Sequence, residues 1–127
     1  MERLRAAYTA FARGDSESIA ALAQDYLHPD FELETTFAGS SVKGFEGLKN
    51  FISEVQENLG YTPVPQEFID LGRQIVVVLR VSGRGAKSGV PVTSQVATVW
   101  RIEEGRAVHA KAFTSRADAL EAAGLSE

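Results

Sequence analysis

The 127-residue sequence contains no cysteine, one tryptophan, one methionine and only two histidines. The missing cysteine excludes a disulfide framework, a thiolate zinc site and a cysteine nucleophile. Two histidines cannot build a histidine-rich metal cluster, and the sequence leads us to expect no bound metal and no cofactor. No apolar run approaches the roughly 18 residues that a membrane-crossing helix needs. The net charge is −4 and no basic run stands ready to neutralise a phosphate backbone, so nucleic acid is not an expected partner. Residues 1–14 carry Glu2, Arg3, Arg5 and Arg13 and lack the continuous apolar stretch of a secretory signal. A cytoplasmic location, away from membranes, is therefore the expectation.

What is present is an ordinary globular composition, 44% hydrophobic and 24% charged. A chain of this length is expected to form one domain over residues 1–127 and to bury roughly two-thirds of its unfolded surface without staples.

Leu4, Ala7, Tyr8 and Phe11 recur at helical spacing, and Gly14 ends that segment. Asp15 or Ser16 can cap a second helix carrying Ile19, Leu22, Ala23, Tyr26 and Leu27, which His28 closes and Pro29 stops. Phe31 to Phe37 alternates, with Phe31, Leu33 and Thr35 on one side and Glu32, Glu34 and Thr36 on the other. Ala38 to Lys43 reads as a Gly/Ser loop, and Phe45 to Leu59 as a third helix ending at Gly60. Four strands follow at Gln66–Leu71, Gln74–Ser82, Val90–Glu103 and Arg106–Phe113, joined by short turns. Ser115 and Asp118 have the spacing of a capping box for a last short helix ending at Gly124. Helices segregated from a mostly antiparallel sheet define the α+β class.

In this order the segments resemble a known family. Residues 8–15, Tyr-Thr-Ala-Phe-Ala-Arg-Gly-Asp, are similar to the helix–Gly–Asp–helix opening of the nuclear transport factor 2-like superfamily. Residues 28–32, His-Pro-Asp-Phe-Glu, resemble its helix-to-strand junction, and residues 42–48 its Gly-led third helix. Residues 100–108 are similar to its final hairpin, and residues 116–125 to the ending of its bacterial SnoaL-like members. The resemblance implies a cone, in which a strongly curved sheet wraps against three helices around an interior pocket. It also implies dimers that pair through the outer sheet face. Because the superfamily holds ketosteroid isomerase, polyketide cyclases, dehydratases and non-catalytic binding domains, the fold alone does not set the function.

Ketosteroid isomerase uses an Asp base and an oxyanion hole of a Tyr and a protonated Asp. Matched to that pattern, Glu34 corresponds to the Glu before the base, but Thr35 stands in the base position and Thr98 in that of the oxyanion Asp. Tyr8 lies one residue from the oxyanion Tyr. A hydroxyl cannot abstract an α-proton near neutral pH without a base beside it. Glu34, Glu32 and Asp30 are the remaining catalytic candidates. Glu32 and Glu34 lie two apart on one strand face, a spacing open to acid–base work or a divalent cation. A solvated face is favoured for them, because no Asp/His set accompanies them in the sequence. A one-residue slip in register would turn both into the cavity.

Alternation puts Ser94, Val96, Thr98 and Trp100 on one face and Gln95, Ala97, Val99 and Arg101 on the other. On the last strand Val108, Ala110 and Ala112 alternate with His109, Lys111 and Phe113. The expected pocket wall is Tyr8, Thr35, Ser94, Thr98, Trp100, Ala110 and Ala112, suited to a small apolar or cyclic molecule. The expected dimer face is Gln95, Arg101, His109 and Lys111. His109 is read there as a lone polar residue without an orienting partner. Three functions stay open: a small-molecule binder, a SnoaL-like isomerase, cyclase or dehydratase acting on a cyclic or polyketide-like substrate, and a dimeric interaction module.

Overall fold

The computed structural model describes residues 2–13, 16–35, 40–54, 62–84 and 91–124. Among these residues four helices and six strands are formed, in the order α1 (Glu2–Ala12), α2 (Ser16–Tyr26), β1 (Leu27–Thr35), β2 (Ser40–Lys43), α3 (Gly44–Glu54), β3 (Thr62–Asp70), β4 (Gln74–Arg84), β5 (Pro91–Glu103), β6 (Arg106–Phe113) and α4 (Arg116–Ala122). The strands make one curved sheet in the order β2-β1-β6-β5-β4-β3. All neighbours are antiparallel except β1 and β6, which run parallel. This is the expected α+β architecture.

Several local expectations change. The second helix ends at Tyr26, and Leu27 and His28 already belong to β1. His28 therefore does not close a helix; its Nδ1 accepts the Asp30 backbone N–H at 3.0 Å. Pro29 is tolerated in the strand because the β1–β6 register is irregular between Leu27 and Glu32. Ser40–Lys43, expected as loop, forms the edge strand β2 against Glu32–Thr35. β3 begins at Thr62, before its expected start at Gln66. It takes in Pro63 and Pro65 because it is an edge strand whose register shifts between Pro65 and Glu67. The expected caps at Gly14, Asp15 and Gly60 lie outside the described residues, as does the tip of the β4–β5 hairpin.

The β5–β6 turn is Glu104-Gly105, with φ of 52° and 77°. A two-residue hairpin with both central φ values positive matches the right-handed twist of its strands, and Gly adopts that conformation without a Cβ penalty. Ser115 caps α4, its Oγ accepting the Asp118 N–H at 3.1 Å.

The sheet has two buried faces. Helices α1, α2 and α3 cover the inner face, where Leu4, Tyr8, Phe31, Leu33, Leu48, Ile75, Val77, Leu79, Trp100 and Ala110 pack together. Helix α4 covers part of the outer face, packing Ala119 and Leu120 on Val76, Val78, Ala97 and Val99. Arg116 pins that helix to β3 through two contacts to the Glu67 carboxylate, at 2.8 and 3.3 Å. A bulge between β5 and β6 pairs Ile102 with Ala107 and Arg101 with His109, leaving Val108 as the extra residue. Ala107, instead of the expected Val108, therefore joins the inner core.

Candidate functional site

Register builds the inner face in rows. One row runs Thr35–Ala112–Thr98–Val77–Phe68 across β1, β6, β5, β4 and β3. The next runs Leu33–Ala110–Trp100–Ile75. The structure thus brings together six of the seven residues expected to line a pocket, with Tyr8 reaching the same face from α1. The seventh, Ser94, stands opposite Val81 on β5, and its side chain lies outside the described residues.

Aromatic packing fixes the centre of this face. Phe31 stacks on Trp100 with centroids 5.7 Å apart. Tyr8 meets both Trp100 and Phe68 edge-on, at 6.2 and 6.0 Å. The Arg5 guanidinium lies 4.4 Å from the Phe68 centroid, at the outer end of this aromatic series. Phe68 was not singled out from the sequence; it reaches the inner face through its pairing with Val77 on β4.

The polar content of the face is small and connected. The Trp100 indole N–H donates to the Tyr8 hydroxyl at 2.9 Å, and the Thr98 hydroxyl bonds to the same phenol. Indole can only donate, whereas a phenol and a threonine hydroxyl can each donate and accept. Trp100 therefore occupies a lone pair of Tyr8 and leaves the phenolic proton for another acceptor. Burial pushes the Tyr8 phenol from the usual 10 up to about 12, against the opposing effect of the two hydrogen bonds. The phenol is accordingly a neutral hydrogen-bond donor at neutral pH, not a base. Apart from the buried Tyr8, Tyr26 and Trp100, Thr35 and Thr98 are the only polar or charged residues in the buried class among those described, and no described carboxylate is buried.

The catalytic candidates lie elsewhere. Asp30 is exposed in the irregular part of β1. Glu32 and Glu34 point to the outer face, because Phe31, Leu33 and Thr35 take the inner one. They are not alone there. Glu32 pairs with His109 across the parallel strands, and the Glu34 carboxylate lies 3.2 Å from His109 Nε2. The expectation that His109 lacks a partner, and that the Glu pair lacks a His, is therefore corrected. The two strands are far apart in sequence, and their pairing brings these groups together. The other residues assigned to the outer face are divided: Arg101 and Lys111 flank His109, whereas the Gln95 side chain accepts the Arg116 N–H at the start of α4.

The curved sheet packed on helices is the architecture of the nuclear transport factor 2-like class. The family model of the SnoaL-like domain matches residues 4–110, and the chain belongs to that family. A protein of unknown function from Burkholderia pseudomallei superposes with a TM-score of 0.74 at 27% identity, covering 95% of this chain and 94% of that one. TerC, solved with polyporic acid, gives a TM-score of 0.73 at 25% identity over 94% of each chain. IdmH of Streptomyces antibioticus, a proposed polyketide cyclase, gives 0.71 at 17% identity, with 98% and 97% covered, which is a likeness of fold. No curated protein sequence matches the chain.

Proposed function

We propose that the chain binds a small, mostly apolar molecule with one or two oxygen atoms against the inner face of its sheet. The observation that carries this reading is the Trp100–Tyr8–Thr98 hydrogen-bonded group, buried in an otherwise apolar wall. An apolar wall with a few convergent polar groups is the usual form of a ligand site. Tyr8 would donate its proton to a ligand oxygen, Thr98 turning its own hydroxyl to suit, with the small side chains of Ala110 and Ala112 as the neighbouring wall. Binding is favoured over acid–base catalysis because no buried carboxylate accompanies the phenol among the described residues. The crystals of TerC, a structural neighbour, with polyporic acid support the reading of a small-molecule site on this fold.

The first test is native mass spectrometry of protein purified without added ligand, followed by calorimetry with a panel of apolar, oxygenated compounds headed by polyporic acid. A retained mass, or binding that Tyr8→Phe weakens, supports the reading. A panel that fails throughout, or affinities indifferent to Tyr8→Phe, removes it. The same mass measurement reads subunit number. Pairing of two copies is part of this proposal, through the outer-face region around Arg101, His109 and Lys111 that α4 leaves free. A monomer at micromolar concentration would remove that part.

A further inference from the structure

The outer face carries a second cluster, on the opposite side of the sheet from Tyr8 and Trp100. Glu32, Glu34 and His109 each offer a ligand atom, and these atoms all lie within 4.8 Å of one another. All three side chains are partly buried. We propose that they form a binding site for a zinc ion.

Three observations support this. The first is spacing. His109 Nε2 and the Glu34 oxygen are 3.2 Å apart. Ligand atoms on a tetrahedral zinc, each at roughly 2.0–2.1 Å, are separated by about 3.3 Å. One edge of the coordination polyhedron is thus already formed, and the Glu32 carboxylate lies within 4.8 Å of both other ligand atoms.

The second is charge. Glu32 and Glu34 place two carboxylates beside a single imidazole. A divalent cation answers both and takes the neutral imidazole as its third ligand. Register places Lys43 opposite Glu32, Lys111 opposite Glu34 and Arg101 opposite His109, all on this face. They lower the attraction of this face for a cation, which direct bonds to the three ligands must outweigh. The Lys111 ammonium lies over the Phe113 ring, 5.7 Å from its centroid.

The third is support. The ligands stand on β1 and β6, neither of which is an edge strand. Their backbones are therefore held on both sides, which is what a preorganised site requires. One imidazole with two carboxylates suits zinc better than calcium or magnesium, which take oxygen ligands in larger number.

The test uses tag-free protein stripped with a chelator and titrated with zinc chloride, read by calorimetry and by the imidazole C2–H signals of the two histidines. We expect saturable binding of one zinc per chain, movement of the His109 signal and a still His28 signal. His109→Ala and Glu34→Gln should each weaken binding at least about tenfold, since even loss of an outer-shell partner costs that much. His28→Ala should leave it unchanged. Thermal melts without zinc establish that each variant is folded, and Glu34→Gln keeps the test open if His109→Ala does not fold. Absence of saturable binding overturns the proposal. So does binding indifferent to both ligand substitutions, movement of His28 instead of His109, or displacement of the zinc by equimolar calcium.

Discussion

Trp100 donates its indole N–H to the hydroxyl of Tyr8 at 2.9 Å, joining β5 to α1 across 92 positions of sequence. The bond is buried, and removing its acceptor leaves the indole N–H without a partner inside an apolar layer. Tyr8→Phe should therefore destabilise the fold by about 1–3 kcal/mol. Urea unfolding followed by the fluorescence of the single tryptophan measures this directly. A change below about 0.5 kcal/mol would mean that the indole finds water or another acceptor.

The same phenol makes stability sensitive to alkali. Burial holds the folded-state phenol near 12, whereas it ionises near 10 in the unfolded chain. Below pH 10 both states keep the proton and stability is unaffected. Between pH 10 and 12 the unfolded state loses its proton first and is favoured, so stability falls, by about 3 kcal/mol in all. The other tyrosines and the lysines titrate in the same range. The measurement is therefore the difference between the wild type and Tyr8→Phe across that window. Parallel pH profiles would refute the assignment.

Ligand affinity should depend on Thr98. Thr98→Val keeps the shape of the side chain and removes a hydroxyl that reaches the Tyr8 phenol. For a ligand that shares this hydrogen-bonded group, affinity should drop by about 1 kcal/mol, or roughly fivefold. Calorimetry on a compound from the binding panel reads the change. An unaltered affinity takes Thr98 out of the site.

Helix α4 should be held by its apolar contacts more than by its ion pair. The Arg116 hydrogen bonds hold the Glu67 carboxyl below its ordinary range, so the pair contributes at neutral pH and is lost as acid protonates Glu67. Both side chains are more than a third exposed, and Glu67→Gln should cost less than about 1 kcal/mol. Leu120, 3% exposed against the outer sheet face, is different. Leu120→Ala should cost roughly 2–5 kcal/mol. Denaturant midpoints of the two variants give the comparison, and equal losses would contradict it.

The turn between β5 and β6 depends on Gly105 at φ 77°. Gly105→Ala meets no steric neighbour there, so its cost is the backbone conformation itself, about 1–2 kcal/mol. A thermal melt reads it, and an unchanged midpoint would mean that the turn adopts another type.

The helices and long strands were legible because each carries its own period. Phe31, Leu33 and Thr35 alternate with Glu32 and Glu34, and that alone identifies the face each occupies. The row Ala112–Thr98–Val77 follows from alternation once the hairpins are in register. β2 was not legible: its four residues, Ser-Ser-Val-Lys, have too little hydrophobic pattern to announce a strand, and it forms because Glu32–Thr35 offers a free edge. The bulge at Val108 shifts the pattern by one residue, and no turn residue marks it. The meeting of His109 with Glu34 was out of reach for a stronger reason. It arises from a parallel pairing of strands 75 positions apart, which no local pattern encodes.

The parallel contact between β1 and β6 also sets an order of assembly. β1 is among the first elements made, yet its central neighbour is the last strand of the sheet. A nascent chain that stops before Arg106 holds two separate pieces, a β1–β2 hairpin and a β3–β4–β5 meander, each with an open edge. Such edges invite pairing with other chains. The eight residues of β6 close both at once. Docking of β6, not formation of the helices, is then the step that removes these two edges and leaves only β2 and β3 at the rims of the sheet.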